Sequence, residues 1–258
     1  DLVFFPALNL KLNIDPVAFT ILGIDIYWYA LLITSAIAMG ILIFKKKDGL
    51  FGIKFEDIID LLIFLIPISI ISARLYYVMF DLKYFIKNPM QIFNIRTGGL
   101  AIYGGIIGGI ITCIVFCKKR KINILDLLDY LAPALALGQA IGRWGNFANI
   151  EAYGVETTLP WRMGIYEANK YIEVHPTFIY ESIATFIIFI VLMKKGKSRK
   201  FSGELTYIYC MMYGLERLIV EGLRTDSLML GPIRISQLVS FVILIIGASL
   251  YIKNKKRG

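Results

Sequence analysis

Tyr213, Arg217, Glu221 and Arg224 stand at offsets of 0, 4, 8 and 11 in an otherwise apolar stretch. At about 100° per residue, a helix sets them near roughly 0°, 40°, 80° and 20°, inside one narrow arc. Arg217 and Glu221 can pair at i,i+4. That leaves Arg224, toward the outer end, to hold another anion. An ionisable side chain in a bilayer costs about 2.5–3.5 kcal/mol on insertion scales, so where it persists it faces an interior or a water-filled site. The bland alternative is a charge ladder that only locks helices together, with Tyr213 and Glu221 purely supporting.

A second group runs from Gly142 to Glu151, Gly-Arg-Trp-Gly-Asn-Phe-Ala-Asn-Ile-Glu, followed by Tyr153 and Gly154. Arg143 falls near the membrane surface. Arginine grips a phosphate with two donors in a fixed fork. Asn146 and Asn149 can donate to headgroup hydroxyls or brace loops, and the glycines permit close backbone approach. A tight interfacial turn with a snorkelling arginine would explain the same residue types.

A third group is His175, Pro176, Tyr180 and Glu181. Proline suits a first helical turn. His175 and Glu181 are six residues apart, so they do not share a helix face, and the spacing favours a structural role for the histidine. A fourth is Gly98-Gly99-Leu-Ala-Ile-Tyr103-Gly104-Gly105, then Gly108-Gly109. Gly104 with Gly108 and Gly105 with Gly109 are small-xxx-small pairs that let helices approach closely. Tyr103 breaks the apolar face there and can hydrogen-bond into a site. Arg74 needs an anionic partner, from protein or lipid. Tyr27-Trp28-Tyr29 reads first as an interfacial aromatic belt.

These residues need elements to carry them. The 258 residues are 57% hydrophobic and carry a net charge of +9. The apolar excess falls in blocks long enough for a bilayer, which takes about 20 residues each. The expected spans are Ile24–Phe44, Asp57–Phe80, Gly98–Cys117, Ile124–Ile141, His175–Met193, Gly203–Gly222 and Ile235–Ile252. No segment alternates like a barrel strand, and backbone groups in lipid must be satisfied internally. The expectation is therefore an all-α polytopic membrane protein, one bundle of seven transmembrane helices forming a single membrane domain over 1–258. The longest connection, 144–174, is expected to form a small extracytoplasmic cap.

Basic residues set the orientation. Lys45, Lys46, Lys47 and Lys54 follow the first span, and Lys118, Lys119, Arg120 and Lys121 the third. Lys194, Lys195, Lys197, Arg199 and Lys200 follow the fifth, and Lys253, Lys255, Lys256 and Arg257 the seventh. They fall on every second connection, so the N-terminus is outside and the C-terminus cytoplasmic. This pattern explains the charge better than nucleic acid, which is not an expected partner. The chain opens with Asp1, lacks a basic first region and reaches a long apolar run only after Gly23, so no signal peptide is expected. Cys113, Cys117 and Cys210 lie in or beside apolar blocks, and His175 is the only histidine. A zinc site would lack ligands, so the cysteines read as small apolar filler. No P-loop or dinucleotide glycine pattern occurs, and neither a metal nor another cofactor is expected. Arginines from at least two segments near the outer half of a bundle describe a site for an anionic lipid headgroup.

The run Gly142-Arg143-x-Gly-Asn146-Phe-x-Asn149-x-Glu151-x-x-Gly154 resembles the signature of the prolipoprotein diacylglyceryl transferase family. His175-Pro176 with Tyr180-Glu181 is similar to that family, as are Tyr213, Arg217, Glu221 and Arg224. So are Asp15-Pro16-Val17-Ala18-Phe19 and Tyr27-Trp28-Tyr29. The resemblance covers nearly the whole chain, from about residue 15 to 250. It implies a multi-pass enzyme of the bacterial inner membrane. Such an enzyme moves the sn-1,2-diacylglyceryl group of phosphatidylglycerol to the lipobox cysteine of prolipoproteins and releases glycerol phosphate. It also implies that Arg143 and Arg217 are the main phospholipid-site arginines. Catalytic roles are expected for Arg143, Arg217, Glu221 and Tyr103. Substrate contacts are expected from Tyr29, Arg74, Arg143, Asn146, Asn149, Glu151, Gly154, His175, Glu181, Tyr213 and Arg224. Tyr103 departs from the family, whose members often carry a histidine there, and a tyrosine is a poorer base at neutral pH.

Two rivals remain at this point. A metal-dependent headgroup transferase needs a cluster of aspartates, and Asp126 and Asp129 are few and lie toward the inner side. A small lipid transporter or flippase favours discontinuous helices in two repeated halves, which the sequence does not contain.

Overall fold

The structure is a computed structural model describing residues 2–95, 98–225, 227, 229–231 and 233–256, the side chains of Leu230 and Ile233 excepted. Its long helices are α1 (Trp28–Lys46), α2 (Phe55–Phe80), α4 (Ile102–Arg120), α5 (Ile124–Ala148), α6 (Thr177–Gly196), α7 (Glu204–Glu221) and α8 (Ile235–Lys255). A short α3 spans Leu82–Lys87. Among the described residues six helices, α1, α2, α4, α5, α6 and α8, are long and apolar enough to cross a membrane. The chain is a mostly helical, multi-pass membrane protein. The expected sixth span falls on α7, which is not one of the six. Its 18 residues hold Glu204, Glu216, Arg217 and Glu221, too many charges for a lipid-facing segment.

The all-α expectation needs amending, because strands frame the helices. Strands β1 (Leu2–Phe5), β2 (Leu10–Asn13), β5 (Met163–Glu167) and β6 (Lys170–Val174) form an antiparallel sheet in the order β2-β1-β5-β6. Phe4 pairs with Gly164, and Met163 with Val174. Val3, Met163, Ile165, Ile172, Val174 and Phe178 form its buried core. Ala168 and Asn169 both take positive φ, the geometry of a two-residue hairpin turn. A second hairpin joins β3 (Val17–Ile21) to β4 (Ile24–Tyr27) through Leu22 and Gly23, also at positive φ. Ile24 therefore opens a strand rather than the first span. A last hairpin pairs β7 (Met229–Leu230) with β8 (Ile233–Arg234).

The chain divides into two compact units, residues 44–130 and the remainder, with the divisions inside α1 and α5. Within 44–130, α4 packs on α2 through its glycines. A Cβ on Gly104 would lie 2.4 Å from Tyr76 Cβ and 2.5 Å from the Ser72 carbonyl, and one on Gly108 2.3 Å from Ser72 Oγ. This is the close approach that the small-residue spacing predicts. The buried Tyr130 hydroxyl donates to the Phe44 carbonyl at 2.8 Å, and Arg120 pairs with Asp57 and Asp60. Cys113 and Cys117 are buried free thiols. In the other unit, α8 lies against α7 at Gly214 and Gly247. There a Cβ would lie 2.8 Å from the Ser240 carbonyl and 3.0 Å from Cys210 Cβ, respectively.

Candidate active site

Helix α5 runs on past the expected end of the fourth span, so Arg143 and Asn146 occupy its last turns rather than a loop. That places them one turn apart on one face. Arg143 Nη1 donates to Asn146 Oδ1 at 3.4 Å. Asn146 Nδ2 donates to Glu151 Oε1 at 2.8 Å, and Asn149 Nδ2 reaches the same oxygen at 3.4 Å. Of the two roles open to these asparagines, bracing the loop is the one the geometry displays. Ile150 and Ala152, flanking Glu151, both take left-handed backbone at φ 50 and φ 58. Such strain persists only where surrounding bonds over-determine it. Here they do. Ile150 N–H donates to the Phe147 carbonyl, Glu151 N–H to the Asn146 carbonyl, and Thr177 Oγ1 to the Ala152 carbonyl.

The loop is then stitched to its neighbours. Gly154 N–H donates to the His175 carbonyl at 3.0 Å, and Val155 N–H to the Leu223 carbonyl at 2.7 Å. A Cβ on Gly154 would lie 2.7 Å from His175 Cβ and 3.0 Å from the Leu223 carbonyl, so only glycine fits. His175 lies just outside α6, and its Nδ1 stands 3.2 Å from the Tyr180 hydroxyl. That hydroxyl accepts from Trp161 Nε1 at 2.8 Å. The Tyr180 oxygen thus bridges the Trp161 indole and the His175 imidazole.

The centre of the site is Glu181, 1% exposed. Arg143 Nε lies 2.5 Å from its Oε2. Arg217 Nη1 and Arg224 Nη1 each lie 3.2 Å from its Oε1. Arg217 Nη2 also meets Glu221 Oε2 at 2.6 Å, the i,i+4 pair that the helix spacing predicts. The other anion that Arg224 engages in the structure is Glu181. Arg234 donates to the Glu221 carbonyl. A buried charge stripped of its partner is expensive, so Arg143 and Arg224 depend on Glu181, and Arg217 on Glu181 and Glu221.

Glu216, the neighbour of Arg217, is a buried residue that the sequence reading passes over. It sits about 60° off the arc of Tyr213, Arg217 and Glu221 on α7, outside the face that drew attention. Its position one residue from Arg217 in an apolar stretch was the available signal. Tyr213 stacks on Tyr209 at 5.5 Å, and the Tyr209 hydroxyl donates to Gln139 Oε1 on α5 at 3.0 Å. Tyr29 lies over Gly145, where a Cβ would come 2.4 Å from its ring.

Arg74 and Tyr103 belong to the unit 44–130. Arg74 meets no carboxylate partner among the described residues. Instead it donates to four carbonyls: Ile92 at 2.9 Å, Gly98 at 3.0 Å, Gly99 at 2.8 Å and Gln91 at 2.5 Å. It thus organises the segment before α4. Tyr103 stands exposed in the first turn of α4.

Residues 16–253 match the model of one family, described as prolipoprotein diacylglyceryl transferase. The chain belongs to that family. A phosphatidylglycerol–prolipoprotein diacylglyceryl transferase of Finegoldia magna is 51% identical over 94% of this chain and 97% of its own length. Proteins of the same name are 46% identical in Clostridioides difficile, over 95% of this chain and 98% of theirs, and 42% identical in Bacillus cereus, over 95% and 94%. The arginine–glutamate cluster and the braced loop lie within the stretch that matches the diacylglyceryl transferase family.

Proposed function

We propose that this chain transfers the sn-1,2-diacylglyceryl group of phosphatidylglycerol to the thiol of a prolipoprotein's lipobox cysteine. The cysteine sulfur attacks the glyceryl carbon that bears the phosphate ester. A carbon–sulfur bond forms, the carbon–oxygen bond breaks, and glycerol phosphate leaves with the electron pair. The observation that carries this reading is the convergence of Arg143, Arg217 and Arg224 on one buried carboxylate. Three guanidiniums held in fixed positions, in surroundings drier than water, suit a phosphate that gains charge as its ester bond breaks.

Arg143 is the most accessible of the three, its side chain 19% exposed against 14% and 11%. It gives Glu181 only its Nε and spends Nη1 on one long bond to Asn146. The remaining donors are those we assign to the headgroup phosphate. Arg217, fixed by Glu181 and Glu221, stabilises the developing charge. Glu181 and Glu221 orient the arginines. Asn146, Asn149, Glu151, Gly154, His175 and Tyr213 shape the site. Tyr29 and Arg224 take supporting parts.

The reading extends to placement. Helix α7 serves as a seventh span whose charged face is covered by α6 and α8. Lys and Arg on alternate connections put the N-terminus outside, the C-terminus in the cytoplasm and the sheet of β1, β2, β5 and β6 in an extracytoplasmic cap. The membrane is the bacterial inner membrane, where phosphatidylglycerol and exported precursors meet.

The test is to incubate purified protein with phosphatidylglycerol and a lipobox peptide, with chelator present, and to weigh the peptide. A diacylglyceryl mass gain on cysteine is expected. Folded, lipid-loaded protein that leaves the peptide unmodified overturns the assignment and favours lipid binding or transport.

A further inference from the structure

The Glu181 cluster uses two of the three acidic side chains buried around it. The third, Glu216, is 8% exposed, and neither of its carboxyl oxygens has a hydrogen-bond partner among the described residues. A buried carboxylate normally finds donors, because leaving it unpaired costs more than a lost hydrogen bond. This one lies within electrostatic reach of three arginines and forms no ion pair with them among the described residues. Its charged neighbours are Glu181 on α6, Arg143 on α5, and Arg217 and Arg224 at and beyond the end of α7, with Tyr209 and Tyr213 on its own helix. Tyr209 reaches across to Gln139, one turn before Arg143 on α5. Glu216 thus faces the α5 side of the site, where Arg143 presents its donors.

We propose that Glu216 takes the proton of the attacking cysteine thiol. The inference rests on the transfer reaction proposed above. The thiol S–H breaks, its proton moves to the Glu216 carboxylate, and the sulfur pair forms the new bond to the glyceryl carbon. The ester oxygen departs with the carbon–oxygen pair as glycerol phosphate, which takes up the proton when it leaves.

The charge balance explains why the base belongs here. Glu181, Glu216 and Glu221 face Arg143, Arg217 and Arg224, with Arg234 on the Glu221 carbonyl. Once Glu216 holds a proton, the cluster is one unit more positive, at the moment when the phosphate beside it becomes more negative. One proton transfer therefore creates the nucleophile and strengthens the hold on the leaving group. A carboxylate already bonded to arginine, as Glu181 and Glu221 are, would have to surrender that pair to accept a proton. Glu216 does not.

The experiment compares wild type, Glu216→Gln and Glu216→Asp on two lipobox peptides, one with cysteine and one with selenocysteine at the same position. A selenol is ionised at neutral pH and needs no base. With cysteine, Glu216→Gln is expected to lose on the order of 10²-fold or more in kcat at neutral pH, the usual contribution of a general base. The loss should shrink as pH rises toward the thiol's own ionisation, near about 8.5. With selenocysteine, the same variant should approach the wild-type rate. Glu216→Asp keeps a carboxyl and should retain more activity on cysteine than Glu216→Gln. Equal losses on both peptides, in either variant, would show that Glu216 only supports the fold, and an undiminished cysteine rate would remove it from the reaction. Wild type that modifies neither peptide would instead sink the transfer reaction itself.

Discussion

Arg143 reaches Glu181 from a different helix, its Nε 2.5 Å from a carboxyl oxygen that is buried from solvent. This contact ties α5 to α6, and through the shared carboxylate it ties both to Arg217 and Arg224. Site integrity and helix packing are therefore one property.

Glu181→Ala should show that coupling. It leaves three guanidiniums short of their common acceptor, and removing one partner of a buried pair typically costs about 3–5 kcal/mol. Thermal unfolding in detergent should reveal a marked loss of stability together with lost transfer. An unchanged midpoint would mean that the cluster does not hold the helices.

Arg143→Lys keeps the charge but removes the planar fork. Loss of one well-placed donor to developing charge lowers turnover by about 10²–10³-fold. Steady-state kinetics on the lipobox peptide should show that drop in kcat/KM while the protein remains folded. Arg217→Ala should fall further, because it also strands Glu221. Full activity in Arg217→Ala would refute its role.

The glycines of α4 give a paired prediction. A Cβ at Gly104 meets Tyr76 Cβ at 2.4 Å, whereas one at Gly105 meets nothing nearer than 3.6 Å. Gly104→Ala should destabilise by about 1–3 kcal/mol through overpacking, and Gly105→Ala should be tolerated. Comparing the two melting temperatures separates tight packing from a general intolerance of this helix.

Lys47 follows the end of α1, and its ammonium is buried without a hydrogen-bond partner among the described residues. Burial lowers its pKa from the usual 10.5 to about 8. Below about pH 8 both folded and unfolded chains hold the proton, and the burial penalty is fully present. Between about 8 and 10.5 the unfolded chain binds more protons, so stability rises with pH. Melting temperature should therefore climb over that window in wild type, relative to a flat response in Lys47→Met. The variant should also be the more stable at pH 7.

The sequence alone determined the class of molecule and one face of its site. Blocks of apolar residues near bilayer length require helices, and Arg217 and Glu221 are paired by spacing alone because both sit on one helix. Gly104 and Gly108 announce close packing for the same local reason. The short strands were not legible. Leu2–Phe5 and Lys170–Val174 are too brief for periodicity, and Leu2–Phe5 pairs with Met163–Glu167, far along the chain. Only the tertiary structure decided that Glu181 gathers Arg143, Arg217 and Arg224, that Arg74 serves backbone carbonyls, and that Glu216 is buried beside them. Helical periodicity says which residues share a face on one helix. It cannot say which faces of α5, α6 and α7 meet, and the chemistry of this site lies where they do.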